Sequence, residues 1–246
     1  MRPFLTLWSK ELLTYFRSAT AYVVLSVFLV VVGLSFWTLA ADSVQNPVGW
    51  SMMLFGPVFF WLMVLVMVTV ITMRLFAEER RAGTFETLVT TPVGDVQIVL
   101  AKYFGALFFF VFATSLPLSF IPAVRLLTGD ASPVDWGPVA AGYLILVLAG
   151  GFYLSIGLFV SAVTRSQVAA AILSFLILGL LFFVESFGHA LPWRPVREWL
   201  TTVATSRHVL QFASGLVDTR AIVFYLTGVV LMLFATIKVI ESERGR

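Results

Sequence analysis

The chain has 246 residues, 60% of them hydrophobic and only 12% charged, with a mean hydropathy of +0.99 and a formal charge of +3. That apolar content excludes an ordinary water-soluble domain, and the absence of cysteine excludes disulfides, zinc–thiolate sites and thiol nucleophiles. Uncharged apolar runs of about 18 residues or more read as membrane spans, because about 20 helical residues cross the hydrocarbon core.

The first element is amphipathic. In residues 4–17, FLTLWSKELLTYFR, the residues Phe4, Leu5, Trp8, Leu12, Tyr15 and Phe16 recur at helical spacing, while Lys10, Glu11 and Arg17 fall off that face. The pattern predicts a helix lying in the membrane interface. Six uncharged stretches follow, at residues 18–41, 52–73, 103–124, 139–164, 166–184 and 221–237. The first ends near TLAAD, which resembles a signal cleavage site, but it is longer than the roughly 7–15 apolar residues of a signal peptide and reads as a retained span. Pro57 predicts a bend in the second stretch, and Pro117 and Pro122 loosen the far end of the third. Only TRSQ, residues 164–167, joins the fourth and fifth, which makes them antiparallel neighbours.

Gly150, Gly151, Ser155 and Gly157 in the fourth stretch let helices approach closely, either within this chain or against a second one. The phenylalanine runs 108–110 and 182–183 are expected to face lipid, with a greasy wall of a translocation pathway as the alternative. Residues 185–220 form a long connection in which LPWRPVREWL sets Trp193, Val196, Trp199 and Leu200 against Arg194, Arg197 and Glu198. That predicts a re-entrant or external helical segment. The expected fold is therefore all-α and integral to the membrane, one domain over 1–246: an interfacial helix (4–17), six transmembrane helices, a cytoplasmic coupling segment (74–97) and an external gate-like segment (185–220).

Eleven Lys and Arg residues fall on the side of the termini and five on the other. This bias puts both termini and the 74–102 loop in the cytoplasm, although the four arginines of 185–220 run against it.

The charged segment MRLFAEERRAGTFETLVTTPVG, residues 73–94, sets Arg74, Arg80 and Arg81 against Glu78, Glu79 and Glu86, with Asp95 next. A patch for anionic lipid would be a run of one sign. This mixture suits a protein partner, where paired charges fix register. The second span can continue as helix through RLFAEERRA, with Gly83 as its stop. Thr84 can cap a short helix bearing Phe85, Leu88 and Val89, and Thr91 and Pro92 begin the next. A solvated hairpin anchored by Arg74 is the plainer alternative.

EERRAGTFETLVTTPV resembles the signature of ABC-2-type transporter permeases, in which such a segment forms a coupling helix that docks on an ATPase subunit. The N-terminal KELLTYFRSATAYVVL is similar to the start of the gliding-motility-type permeases, which usually read Ser-Pro-x-Ala-Tyr; here Ala19 stands in place of the proline. The resemblance implies ATPase-coupling roles for Glu78, Glu79, Arg80, Gly83, Thr84, Phe85, Glu86, Leu88, Thr91 and Pro92. Gly83 would make the turn, Phe85 and Leu88 would insert into the partner, and Glu79, Arg80 and Glu86 would hold it by charge. It also implies an exporter with a second permease chain, identical or related, in contact with membrane lipid in a bacterial inner membrane. ATP and Mg²⁺ would be bound by the ATPase, not by this chain. A scaffold in a motility or secretion machine, and a stand-alone channel or carrier, are the alternatives.

No catalytic constellation is expected. Lys10, Lys102 and Lys238 follow Ser, Ala and Ile, so no phosphate-cradling Gly-Lys-Ser/Thr loop exists and the chain is not itself an ATPase. The only histidines, His189 and His208, lie in the 185–220 segment. Glu185 and His189 fall one helical turn apart, giving either an outer gate or a solvated pair at the membrane edge. No nucleic-acid partner, metal or cofactor site is expected.

Overall fold

A computed structural model describes residues 2–42, 49–81, 83, 94–128, 134–190 and 204–244. Every regular element among them is helical. In chain order they are α1 (Arg2–Arg17), α2 (Ala19–Asp42), α3 (Trp50–Phe55), α4 (Val58–Thr72), α5 (Ala77–Arg81), α6 (Asp95–Ser115), a 3₁₀ turn (Leu116–Ser119), α7 (Phe120–Thr128), α8 (Trp136–Val163), α9 (Gln167–Ala190), α10 (Thr205–Ala213) and α11 (Thr219–Arg244).

Five helices are long and apolar enough to cross a membrane: Ala19–Ala41, Asp95–Leu126, Trp136–Val163, Gln167–Val184 and Thr219–Glu243. This is a multi-pass membrane protein. The second expected span is not continuous. Gly56 and Pro57 separate α3 from α4, and Pro57 sits in extended backbone (φ −62°, ψ 135°) as the residue before α4. Its ring leaves no N–H for a helical bond, so the bend expected there becomes a break. The indole N–H of Trp61 donates to the Phe55 carbonyl across it (2.8 Å). Pro117 likewise falls in the 3₁₀ turn after α6, where the third span loosens.

α8 is the most enclosed long helix, and α4, α6, α9, α10 and α11 all pack on it. Its glycines explain the fit. A Cβ at Gly142, Gly150 or Gly157 would collide with Phe55, the Phe110 ring or Thr72 respectively. The small residues of the fourth span therefore serve packing within this chain. Of the phenylalanine runs expected to face lipid, Phe108 is half exposed, whereas Phe109, Phe110 and Phe182 are buried, Phe182 stacked on Trp61. They fill the space that the small residues of α8 and the broken α3–α4 pair leave open.

α1 lies along α6, with Tyr15 stacked on Phe109 and Phe16 edge-on to Phe109 and Phe112. Gly105 of α6 permits the approach, since a Cβ there would stand 3.1 Å from that of Glu11. In the 185–220 region, α9 carries on as helix to Ala190, and α10 is sunk against α3, α8 and α9 with Thr205, His208, Val209 and Phe212 buried. Gly215, at φ 87°, turns the chain out of α10, and Asp218 accepts from the Arg220 N–H (2.8 Å) at the start of α11. The segment LPWRPVREWL lies outside the described residues.

Candidate functional site

The charged loop does not continue α4 directly. A turn at residues 73–76 intervenes before α5. The turn stays bonded to α4 through Met73 N and Leu75 N, which donate to the Thr69 and Thr72 carbonyls, and at the start of α5 the Ser161 hydroxyl of α8 accepts from both Phe76 N (3.1 Å) and Ala77 N (3.2 Å). The rigid extension of the second span expected from sequence is thus replaced by a short helix fastened to the end of α8.

Lys102 stands two turns into α6, on an otherwise apolar face, with 3% of its side chain exposed. An ammonium so placed is costly unless paired. Its Nζ donates to Glu79 Oε1 of α5 (2.7 Å) and to Glu11 Oε1 of α1 (3.1 Å), and it sits 5.3 Å from the centre of the Phe76 ring. One residue on from Glu79, Arg80 pairs with Glu243 near the end of α11 (2.6 Å). Five elements (α1, α5, α6, α8 and α11) are therefore joined through one five-residue helix. Beside this node the Tyr15 hydroxyl reaches the Ile71 carbonyl (3.4 Å), and burial, with the Glu11 carboxylate second, holds its pKa well above the ordinary tyrosine range.

These contacts redistribute the expected roles. Glu79 and Arg80, expected to hold the ATPase by charge, are engaged by partners inside this chain. Glu78 and Arg81 are the ones that face outward. Gly83 adopts φ 69°, the left-handed conformation that suits a helix stop. Thr84, Phe85, Glu86, Leu88, Thr91 and Pro92 lie outside the described residues. Glu185 and His189 fall within α9 one turn apart, and their side chains also lie outside the described part.

Sequence reasoning missed Lys102, Glu11, Ser161 and Glu243. A lone lysine on an apolar helix face does signal that a carboxylate partner exists, but not which one. It also missed a buried polar cluster: Thr205 Oγ1 accepts from Tyr153 (2.9 Å) and from Tyr225 (3.3 Å), and His208 Nδ1 lies 3.1 Å from the Tyr225 hydroxyl. It ties α10 to α8 and α11. Among the described residues no group of three or more His, Cys, Asp or Glu residues could hold a metal.

Residues 10–183 match the family model described as ABC-2 family transporter protein. The chain belongs to the ABC-2 transporter family. No curated protein matches it. ABC-2 members are the membrane subunits of ABC transporters and work with an ABC ATPase, so this chain is a permease component. Glu11, Glu79, Lys102 and Ser161 all fall within the ABC-2 match, whereas α10, α11 and Glu243 lie beyond it.

Proposed function

We propose that this chain is the permease subunit of an ATP-driven exporter and that α5, with residues 82–93, is the dock for a separate ATPase that binds ATP and Mg²⁺. The observation that carries the reading is Lys102 joining Glu79 of α5 to Glu11 of α1 from within α6. A push on α5 reaches the interfacial helix and a long span through one buried ammonium, and reaches α8 and α11 through Ser161 and Glu243. Glu78, Arg81 and Glu86 supply the outward charges, Phe85 and Leu88 the inserted side chains, and Thr84, Thr91 and Pro92 the turn chemistry. Glu79, Arg80 and Gly83 transmit and shape.

α1 and the end of α11 meet at α5, so the chain crosses an even number of times. Counting the broken α3–α4 pair as one crossing gives six, with both termini cytoplasmic by the charge bias. A second permease chain completes the pathway, with Glu185 and His189 toward its outer mouth. The KELLTYFRSATAYVVL start favours the gliding-motility-type branch, in a bacterial inner membrane.

The test is purification from native membranes in mild detergent, wild type beside Glu78→Lys/Glu86→Lys, followed by vesicle flux with ATP. An ATPase that accompanies wild type and is lost from the variant, with ATP-dependent flux, is the expected result. Wild type that emerges without an ATPase while its own assembly is intact overturns the docking reading. Association without flux leaves assembly, not transport, as the role.

A further inference from the structure

A polar groove of about 900 Å³ opens between α1 and the junction of α4 with α5. Its lining includes Lys10 and Arg17 from α1, Arg74 from the turn after α4, and the carboxylates Glu11, Glu78 and Glu79 beside Lys102. Lys102 is committed to Glu11 and Glu79. Counting that triad, four cations line the groove against three carboxylates, a net excess of one positive charge, and Lys10, Arg17 and Arg74 have no ion-pair partner among the described residues. The Arg74 Nε–H is closed off from solvent and meets no acceptor.

The groove also has a defined depth. Arg17 immediately precedes the apolar α2, which starts at Ala19, and Arg74 follows the apolar α4, which ends at Thr72. Both cations thus stand where hydrocarbon gives way to water, the level of phospholipid phosphates. Leu13 lines the groove as well and is half exposed. Beyond the other flank of α1, Phe4, Leu5, Trp8, Phe104, Phe108 and Val111 line an apolar cleft of about 420 Å³ with almost no polar surface. Interfacial helices seat themselves among lipids by pairing such apolar contact with headgroup contact.

We propose that the groove binds the phosphate of an anionic phospholipid, held by Arg17 and Arg74 with Lys10 as outer counter-charge. The lipid is a structural ligand that wedges α1 against the α4–α5 junction. The groove adjoins the proposed dock, since Glu78 of α5 lines it, but the cations proposed to hold the phosphate, Lys10, Arg17 and Arg74, lie outside α5.

Native mass spectrometry of the full chain in detergent tests this, with phosphatidylglycerol, phosphatidylcholine and soluble glycerol 3-phosphate as probes. Wild type is expected to retain phosphatidylglycerol over phosphatidylcholine, more weakly as salt rises. Arg17→Gln/Arg74→Gln should bind it roughly 10- to 30-fold more weakly, since each cation near a lipid surface contributes about fivefold. Arg17→Lys/Arg74→Lys should keep most of the affinity. Equal retention of the two lipids by wild type, or undiminished retention by a folded Gln variant, overturns the proposal. Glycerol 3-phosphate displacing the lipid at comparable concentration overturns the lipid as the source of the phosphate. If the Gln variant fails to fold, the lipid preference and its salt dependence in wild type still decide.

Discussion

Glu79 Oε1 lies 2.7 Å from the Nζ of Lys102, although 23 positions separate them in the chain. With Glu11 as the second acceptor, the ammonium links the charged loop, the N-terminal helix and a long span. Its removal strands two carboxylates. Lys102→Met is therefore expected to cost about 3 kcal/mol or more, the order found when one partner of a buried pair is deleted. Adding Glu11→Gln and Glu79→Gln should return part of that loss. Unfolding midpoints of the single, double and triple variants in detergent measure it, and full stability in Lys102→Met alone would sink the account.

The Arg80–Glu243 pair is more open, with Glu243 about a third exposed, so its effect on stability should stay near 1 kcal/mol or below. Its effect on coupling should be larger. Arg80→Glu and Glu243→Arg are each expected to reduce permease-dependent ATPase stimulation, and the swapped double variant to recover it. Two additive losses in the double variant would mean that the pair is not the relevant contact.

Two glycines should fail for different reasons. Gly83 has φ 69° and, among the described residues, nothing within 4 Å of where a Cβ would stand, so Gly83→Val strains the backbone, by about 1–2 kcal/mol locally. It should reduce coupling with little change in the unfolding midpoint. Gly157 is helical but faces Thr72 at a distance no Cβ tolerates, so Gly157→Val overpacks the bundle by about 1–3 kcal/mol or more. It should lower the midpoint and the yield. Reversed phenotypes would contradict both assignments.

The chain has no cysteine, so single introduced cysteines report topology cleanly. Glu78→Cys, Arg81→Cys and Ser242→Cys should react with a membrane-impermeant maleimide from one side of the membrane. Val217→Cys, in the turn before α11, should react from the other. Labelling of positions 81 and 242 from opposite sides would exclude an even number of crossings.

Tyr15 gives the pH dependence. Its folded pKa is raised above the ordinary value of 10.0, first by burial and then by Glu11, so the unfolded chain releases this proton at lower pH than the folded chain does. The stabilisation is complete below about pH 10 and falls away above it. Between about pH 9 and 11 the unfolding midpoint of wild type should drop more steeply than that of Tyr15→Phe. Parallel curves would show that Tyr15 is not held neutral by its surroundings.

The sequence by itself determined the class and much of the layout. Long uncharged runs can only be buried in lipid or in one another, and helix is the state that satisfies their backbone without water. Residues 4–17 separated from the spans because Lys10, Glu11 and Arg17 interrupt them, and EERRAGTFETLVTTPV pointed to the ABC-2 family to which the chain belongs. Pro57 marked where the second span fails, though as a bend and not as a break.

What only the tertiary structure decided is which charges meet. Glu11, Glu79 and Lys102 lie on three separate elements, and nothing in their spacing distinguishes an outward carboxylate from one turned onto a buried ammonium. The fate of Phe110 likewise depends on Gly150 in another helix. Periodicity reports a residue's face on its own helix; the neighbour on that face is set by how the helices pack, and that is where burial, pairing and the candidate linkage arise.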